Sequence, residues 1–221
     1  MLEIVSCDSD LFQLGKRVLE GGLVVFPTDT VFGVGSSPMS RAGVSRCFEI
    51  KKRKMEKKLP ILFRTKTAAE RFVVFNKISK QIARKFWPGQ LTMILPMKQN
   101  IIIPEPLITQ DRTLAIRIPD HDCCRKLISA CGGSLIGTSA NFSGDSPFVD
   151  PSDSALLEFA KNADYLVKGS CGGRKLPSTI LDLSNEGHIK VVREGAISKK
   201  QILDYLEKIK VTELSLSIDR S

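Results

Sequence analysis

Two hydroxyl side chains flank a carboxylate in the segment 28–30 (Thr-Asp-Thr), immediately after the apolar run 23–26 and Pro27. The apolar run is typical of a buried strand, and Pro27 ends it because proline cannot donate a hydrogen bond to a neighbouring strand. Gly33 and Gly35 follow shortly after and would let a ligand approach the backbone. Polar groups at the end of a buried strand commonly form binding sites in α/β proteins. Taken alone, the segment also fits an ordinary exit from a strand into a loop.

A strongly basic run covers residues 51–58, where six of eight positions are lysine or arginine. Such a run is most often a solvated loop. It could also hold phosphate, because Lys51 and Arg53 share an orientation in an extended chain and a guanidinium can bind two phosphate oxygens at once. The run alone does not decide between these interpretations.

Further polar residues lie on or just after predicted strands: Thr113 with Arg117, Ser139 with Asn141, Ser178, and Arg193. A strand flanked by helices rarely carries an arginine on a packed face unless that arginine meets an anion or a carboxylate. Each of the other residues, taken singly, fits a structural role at a turn or a strand end. Together they suit the binding of a nucleoside triphosphate and a small polar substrate. Reactions at phosphorus can be catalysed by positioning and charge neutralisation, without a covalent nucleophile.

Other catalytic motifs do not occur in the sequence. Gly33-Val34-Gly35 lacks the third glycine of a dinucleotide-binding motif, and there is no P-loop and no GxSxG nucleophile motif. The two histidines, His121 and His188, leave little for a Ser-His-Asp arrangement, and His121 is interpreted as a surface or helix-capping residue. Trp87 is interpreted as a core residue, although a tryptophan on a basic surface can also stack on a base.

Composition describes a globular chain with basic character. Its 221 residues are 42% hydrophobic and 26% charged, which fits one domain, and the net charge of +9 favours anionic partners. We find no signal-peptide pattern and no apolar run near the roughly 20 residues of a membrane span, so we expect a cytoplasmic protein without membrane contact. The six cysteines show no CxxC pair. We therefore expect no metal site and reduced, mostly buried thiols.

Helices and strands are predicted to alternate along the chain. Helices are expected over residues 9–20, 40–50, 67–75, 79–87, 120–131, 152–161 and 198–210, and strands over residues 23–26, 59–63, 91–96, 113–119, 134–138, 165–168, 180–183 and 189–193. Side chains of Ser9, Ser40, Asp120 and Ser198 are expected to begin their helices. These elements predict one α/β domain over residues 1–210, built on a mixed sheet, and a loosely held tail at 211–221.

Seven blocks of the sequence resemble, in order, the motifs of the YrdC family of L-threonylcarbamoyladenylate synthases. The blocks are PTDTVFGVG (27–35), KKR…L (51–59), FWPGQLT (86–92), AIRIPDH (115–121), GTSANFSG (137–144), PSTILDL (177–183) and VVREG (191–195). The resemblance extends over about residues 10–200, nearly the whole chain. It implies the YrdC-like fold, a twisted mixed sheet flanked by helices around a basic concave cleft.

The same resemblance implies a nucleotidyltransferase that makes threonylcarbamoyl-AMP and pyrophosphate from L-threonine, bicarbonate and ATP, with Mg²⁺. A partner transferase complex would then move the threonylcarbamoyl group to adenosine 37 of tRNAs that read codons beginning with A. Family roles carried over by position give the catalytic residues Lys51, Arg53, Ser139 and Asn141. They give an ATP site of Arg53, Lys57, Thr113, Ser139, Asn141 and Arg193. They give an L-threonine site of Thr28, Thr30, Arg117, Gly137 and Ser178, and no metal ligand is assigned.

The sequence departs from the family pattern at several positions. Phe32 stands in place of a tyrosine, and Lys54, Lys58 and Gln90 stand in place of prolines. The loop that contains the two lysines is therefore expected to be more mobile and more basic than in relatives. The related YciO-like proteins lack the KxR and SxN residues, which this sequence keeps.

The alternative to an enzyme is a non-catalytic module that binds double-stranded RNA or tRNA in the same basic cleft. An RNA-binding surface needs contacts to phosphates, but it has no use for a small pocket of hydroxyls around Arg117. The residues therefore favour the enzyme.

Overall fold

Helices and strands alternate through the computed structural model, which describes residues 1–52, 58–142, 144–172, 175–209 and 215–218. The helices are α1 (Phe12–Leu19), α2 (Arg41–Ile50), α3 (Lys66–Ala69), α4 (Lys77–Phe86), α5 (Asp122–Ala130), α6 (Ser154–Ala160) and α7 (Lys199–Lys208). The strands are β1 (Glu3–Ser6), β2 (Val24–Phe26), β3 (Gly33–Gly35), β4 (Ile61–Phe63), β5 (Leu91–Pro96), β6 (Thr113–Arg117), β7 (Ser134–Ile136), β8 (Thr138–Ser139), β9 (Tyr165–Lys168), β10 (Thr179–Asp182), β11 (His188–Arg193) and β12 (Ser215–Ile218).

The strands form two mixed sheets. One has the order β1-β9-β2-β3-β8, and the other has the order β12-β11-β10-β5-β6-β4-β7. Within the first, β2 pairs in parallel with β9 and antiparallel with β3. Within the second, β5 pairs in parallel with β10 and antiparallel with β6. The predicted mixed α/β fold is confirmed, with its strands divided between two sheets.

Strand β2 lies between two hydrophobic clusters. Val25 belongs to the larger cluster, whereas Val24 and Phe26 belong to the smaller one, and none of the three side chains is exposed. Successive side chains of a strand point to opposite faces, so a strand that is covered on both faces needs an unbroken apolar sequence. This explains why the run before Pro27 is continuous rather than alternating.

The two sheets meet at Gly35 with no side chain between them. A Cβ atom on Gly35 would lie only 1.6 Å from the carbonyl oxygen of Ile136, and the Ile136 amide donates to the carbonyl oxygen of Ser36 at 2.9 Å. At the residue after Ile136, a Cβ on Gly137 would lie 2.4 Å from a methyl carbon of Leu62. Glycine at these positions therefore lets β3 lie directly against the end of β7.

The predicted caps of α2 and α7 are confirmed. Ser40 Oγ accepts a hydrogen bond from the Gly43 amide at 3.2 Å. At α7, Ser198 Oγ accepts from the Gln201 amide while the Gln201 side chain accepts from the Ser198 amide, which completes a capping box.

The predictions that Ser9 caps α1 and Asp120 caps α5 are wrong, whereas the interpretation of His121 as a helix-capping residue is confirmed. α1 begins later than expected, so Ser9 is too far away, and the carboxylate of Asp10 instead accepts from the first helical amide at 3.0 Å. α5 begins at Asp122, which places His121 rather than Asp120 at the capping position, and His121 Nδ1 accepts from the Cys124 amide at 3.3 Å. The helix prediction at 67–75 is also too long, because the Val74 amide donates to the carbonyl oxygen of Pro96 and thereby joins the end of β5.

The expectation that all cysteines are reduced is wrong for one pair, because Cys7 and Cys123 form a disulfide with a Cα–Cα distance of 5.4 Å. Their separation of 116 residues left no spacing signal in the sequence. The thiols of Cys47 and Cys131 are buried, and burial raises the pKa of each to about 12. Cys47 and Cys131 are therefore free, buried thiols, as the sequence predicted.

Arg46 and Asp164 fasten the start of β2 to α2. The Arg46 guanidinium donates to the Asp164 carboxylate at 2.7 and 3.0 Å, and the same carboxylate accepts from the Leu23 amide at 2.7 Å. Hydrogen bonding from Arg46 holds the pKa of Asp164 below its usual value. Both side chains are partly exposed, at 39% each, so solvent screens the pair.

The end of the chain is only partly described. Residues 215–218 form β12, which pairs in parallel with β11, while residues 210–214 and 219–221 lie outside the described residues. The predicted boundary at residue 210 stays a prediction. Within the described part of the chain, no helix has the length and apolarity to cross a membrane.

Substituting Gly35→Ala should severely destabilise the protein, because the new methyl group would overlap the Ile136 carbonyl. We expect a loss of more than about 3 kcal/mol in the free energy of unfolding, measured by urea denaturation. Gly133→Ala serves as the comparison, since Gly133 has φ +92° but open space around it, and should cost about 1–2 kcal/mol. Equal losses in the two variants would contradict the close approach of the sheets.

Candidate active site

A cleft of about 340 Å³ lies where the ends of strands from both sheets converge. This volume is in the range of small-molecule sites. The predicted site residues that line it are Thr28, Thr30, Arg117, Gly137, Ser139, Ser178 and Arg193. Three other predicted residues, Lys51, Thr113 and Asn141, are buried but are not part of the lining. Arg53 and Lys57 lie outside the described residues.

Arg117 is buried in the wall of the cleft, and only 6% of its side chain is exposed. Its Nε donates to the carbonyl oxygen of Gly89 at 2.9 Å, Nη1 donates to Thr30 Oγ1 at 3.1 Å, and Nη2 donates to Asp29 Oδ1 at 2.6 Å. The guanidinium is thus held through all three nitrogens by the loop after β2 and the turn before β5. The prediction that an arginine on this strand face meets a carboxylate is satisfied inside the protein by Asp29.

The hydroxyls of Thr28 and Thr30 form an ordered relay. Thr28 Oγ1 donates to the carbonyl oxygen of Val31 at 2.7 Å and accepts from the Thr30 amide at 3.1 Å. Because the Thr28 proton is already used, the 2.9 Å bond between the two hydroxyls must run from Thr30 to Thr28. Thr30 Oγ1 also accepts from Arg117, which leaves it one lone pair for a ligand. That atom can accept a hydrogen bond but cannot donate a further one.

Lys51 organises the exit from β8. Although it is a lysine, it is 3% exposed, and its ammonium donates to the carbonyl oxygens of Ser139 at 2.6 Å and Asn141 at 2.5 Å and to Asn141 Oδ1 at 2.7 Å. The hydroxyl of Ser139 donates to the same Asn141 Oδ1 at 2.5 Å. Lys51 therefore holds the predicted SxN pair in place from behind and leaves Ser139 facing the cleft.

Ser178 and Arg193 occupy the opposite wall. Arg193 Nη2 donates to the carbonyl oxygen of Ser178 at 2.7 Å, while the Ser178 hydroxyl lies 2.8 Å from Thr92 Oγ1. Thr92 is 1% exposed and was not predicted as a site residue. Its signal in the sequence was its place in the FWPGQLT block, within the buried strand β5.

Lys58 lines the cleft, although the sequence analysis did not assign it to the site. Its ammonium donates to Thr109 Oγ1 at 2.6 Å and to the Asp111 carboxylate at 2.8 Å. Burial opposes ionisation of Asp111, but hydrogen bonds from Lys58 and Thr109 nevertheless hold the pKa of this carboxyl below its usual value. Lys58 stands in place of a family proline, and this ion pair attaches it to the segment before β6.

The cleft thus combines Lys58, Arg117 and Arg193 with several hydroxyl groups. Such an arrangement can bind phosphates beside a small carboxylate. Among the described residues, no group of three or more His, Cys, Asp or Glu side chains could hold a metal ion.

Comparisons with known proteins identify the family to which the chain is similar. The family model Sua5/YciO/YrdC, described as telomere recombination, matches residues 16–195. A protein of Methanocaldococcus jannaschii, provisionally described as a threonylcarbamoyl-AMP synthase, is 37% identical over 187 residues, which cover 83% of this chain and 84% of that protein. The threonylcarbamoyl-AMP synthase of Marinobacter nauticus is 33% identical over 170 residues, covering 76% of this chain and 88% of the relative.

A solved structure is also similar over almost the whole chain. P. abyssi Sua5 complexed with L-threonine superposes with a TM-score of 0.83 and 26% identity, covering 98% of this chain. The present chain spans only 62% of that longer protein.

Replacing Lys51→Met should destabilise the protein by about 3 kcal/mol or more, because buried oxygens of Ser139 and Asn141 lose a charged donor. Urea denaturation at neutral pH measures this loss. The control is Lys126→Met on the exposed side of α5, which should change stability by less than about 0.5 kcal/mol. A Lys51 variant as stable as the control would show that this ammonium does not organise the exit from β8.

Proposed function

Because this chain belongs to the Sua5/YciO/YrdC family, we propose that it is an L-threonylcarbamoyladenylate synthase. The reaction joins L-threonine, bicarbonate and ATP to give threonylcarbamoyl-AMP and pyrophosphate. The observation that supports the proposal is that Arg117, bonded to the Thr30 hydroxyl, and Arg193 line the same cleft. A small amino acid and a triphosphate need these two kinds of group side by side.

In the threonine subsite, Arg117 binds the substrate carboxylate. Three of its N–H groups are bonded within the protein, and one remains on each terminal nitrogen. A carboxylate can accept both of these. Thr30 Oγ1, which can only accept, suits the N–H of the substrate amine. Ser178, Gly137 and Thr28 complete the subsite.

ATP lies across the cleft between Ser139 on one wall and Arg193 on the other, and Asn141 and Lys51 support Ser139 from behind. The family roles of Arg53, Lys57 and Thr113 extend this subsite, with Arg53 on the phosphates. Thr113 lies beneath the surface, where its carbonyl oxygen accepts from Thr109 at 3.3 Å, so its contribution to nucleotide binding is through the shape of β6. The nucleotide enters as its Mg²⁺ complex.

The chemistry proceeds in two steps. Bicarbonate gives carbon dioxide and hydroxide, the neutral amine of threonine attacks the carbon to form a carbamate, and the proton that the nitrogen loses combines with the hydroxide to give water. A carbamate oxygen then attacks the α-phosphorus of ATP, and pyrophosphate leaves with its charge stabilised by Arg193 and Lys58. No side chain needs to become a covalent nucleophile, which agrees with the shortage of histidines in the sequence.

The product is a mixed anhydride, so it must pass to an acceptor. We propose that a threonylcarbamoyl transferase complex receives it and modifies adenosine 37 of tRNAs that read codons beginning with A. Both ATP and these tRNAs are cytoplasmic, which is the location we propose for the enzyme. An RNA-binding module without chemistry is disfavoured, because contacts to an RNA backbone make no use of the buried Arg117–Asp29 pair.

Pyrophosphate release tests the proposed reaction. The purified protein with Mg²⁺ and ATP should release pyrophosphate only when L-threonine and bicarbonate are both present. Release without threonine would indicate a different acceptor, and no release under any of these conditions would contradict the synthase assignment.

Arg193→Ala should raise the KM for ATP by about 10-fold or more, because it removes a charge-assisted contact to phosphate. The control is Arg84→Ala on the exposed side of α4, which should leave both KM values unchanged. Steady-state kinetics with each substrate varied in turn measures the effect. An unchanged KM for ATP in Arg193→Ala would remove this residue from the nucleotide subsite.

A further inference from the structure

Asp29 is a buried carboxylate beside the cleft rather than in it. It is 6% exposed, it is absent from the described lining, and its Oδ1 accepts from Arg117 Nη2 at 2.6 Å. Its other oxygen, Oδ2, is buried and has no hydrogen-bond partner within the described part of the chain. A buried oxygen without a partner costs free energy, so its presence calls for an explanation.

Stability does not supply that explanation. A buried ion pair often contributes no more to stability than two well-packed apolar side chains of the same volume, because both charges must leave water. Here the unpartnered Oδ2 adds to the cost. The benefit must therefore come from what the carboxylate does to its partner, Arg117.

The contacts show how the carboxylate constrains that partner. Gly89 and Thr30 hold Nε and Nη1 of Arg117 through neutral oxygens, whereas Asp29 holds Nη2 through a charged carboxylate. Asp29 is fixed in turn, since its carbonyl oxygen accepts from Gln90 Nε2 at 2.9 Å. Together these bonds set both the plane and the rotation of the guanidinium, and they leave one N–H on each terminal nitrogen.

We propose that Asp29 is a positioning residue that sets Arg117 for the carboxylate of an α-amino acid and cancels its charge toward other anions. This inference rests on the proposed function and deepens it. With Asp29 ionised, the pair is close to neutral, so an anion gains little by approaching unless it can accept both remaining N–H groups in their fixed geometry. A planar carboxylate can do so. Without Asp29, Arg117 would be an uncompensated cation that attracts any anion, including phosphates.

Two consequences follow for the two subsites. Loss of the Asp29 charge should weaken L-threonine binding, because the guanidinium is free to turn, and it should strengthen binding of inorganic pyrophosphate, because the local charge becomes positive. ATP binding on the Arg193 side should change little. If Asp29 had only a structural role, its replacement would lower stability without weakening L-threonine binding and strengthening pyrophosphate binding.

The test compares Asp29→Asn and Asp29→Glu with wild-type protein, and uses Asp164→Asn as a control that breaks another Arg–Asp pair away from the cleft. The measurements are KM for L-threonine and for ATP, kcat, inhibition by pyrophosphate, and L-threonine affinity by calorimetry in the absence of ATP. In Asp29→Asn we expect KM for threonine to rise about 10- to 100-fold and KM for ATP to change less than about twofold. Pyrophosphate should inhibit this variant at lower concentration than wild type. Asp164→Asn should match wild type in every kinetic measurement.

Asp29→Glu keeps the charge and moves the carboxylate by one methylene. It should restore wild-type sensitivity to pyrophosphate while keeping a raised KM for threonine, which separates charge from position. If Asp29→Asn does not fold, as judged by circular dichroism, the Glu variant decides alone, and an unchanged KM for threonine overturns the proposal.

Threonine affinity, measured by calorimetry without ATP, tests the role of Asp29 separately from the synthase reaction. Wild-type protein that releases no threonine-dependent pyrophosphate contradicts the synthase, whatever Asp29 does. Equal threonine affinity in wild type and a folded Asp29→Asn variant contradicts the positioning role, even if the synthase is active.

Discussion

The absence of a side chain at Gly35 is the constraint on which the two-sheet arrangement depends. It allows β3 to lie against Ile136, so that one sheet ends where the other begins. The chain then turns through Gly137 directly into the cleft, where Leu62 fills the space that a larger residue would need. Loops that follow strands of the two sheets can face each other across the cleft of about 340 Å³, because backbone atoms rather than side chains form the contact between the sheets.

Two buried cations stabilise the walls of the cleft by the same physical means. Lys51 donates to oxygens of the segment after β8, and Arg117 donates to oxygens of the segments after β2 and before β5. Each is surrounded by oxygens at fixed distances, so neither charge is left without compensation. The difference lies in the acceptors. The Ser139 and Asn141 oxygens that accept from Lys51 are uncharged, whereas Arg117 is paired with the carboxylate of Asp29.

The sequence predicted elements well where apolar runs are bounded by proline or glycine. The bounds of β5 and β9 agree with their predictions, and most of the predicted polar residues at strand ends line the cleft, although Thr113 and Asn141 do not. Prediction failed where a distant contact decided the outcome. The helix at α3 stops early because Val74 pairs with Pro96, and the Cys7–Cys123 disulfide joins residues that no local pattern connects. Asp29 was noted as a polar residue, but its role depends on which side of the strand exit Arg117 occupies, and only the packed fold shows this.

The order of strands in the first sheet determines when its strands can pair during synthesis of the chain. β2 leaves the ribosome early, yet its parallel neighbour is β9, so its edge stays open until Tyr165 has been synthesised. β5 waits similarly for β10. Contacts between such distant segments form slowly, because a long loop must close before they gain free energy. Ser178 and Arg193 are synthesised later still, so one wall of the cleft is missing until the chain has passed residue 193. A nascent chain that stops earlier contains Arg117 and Ser139 but lacks the guanidinium on the opposite wall.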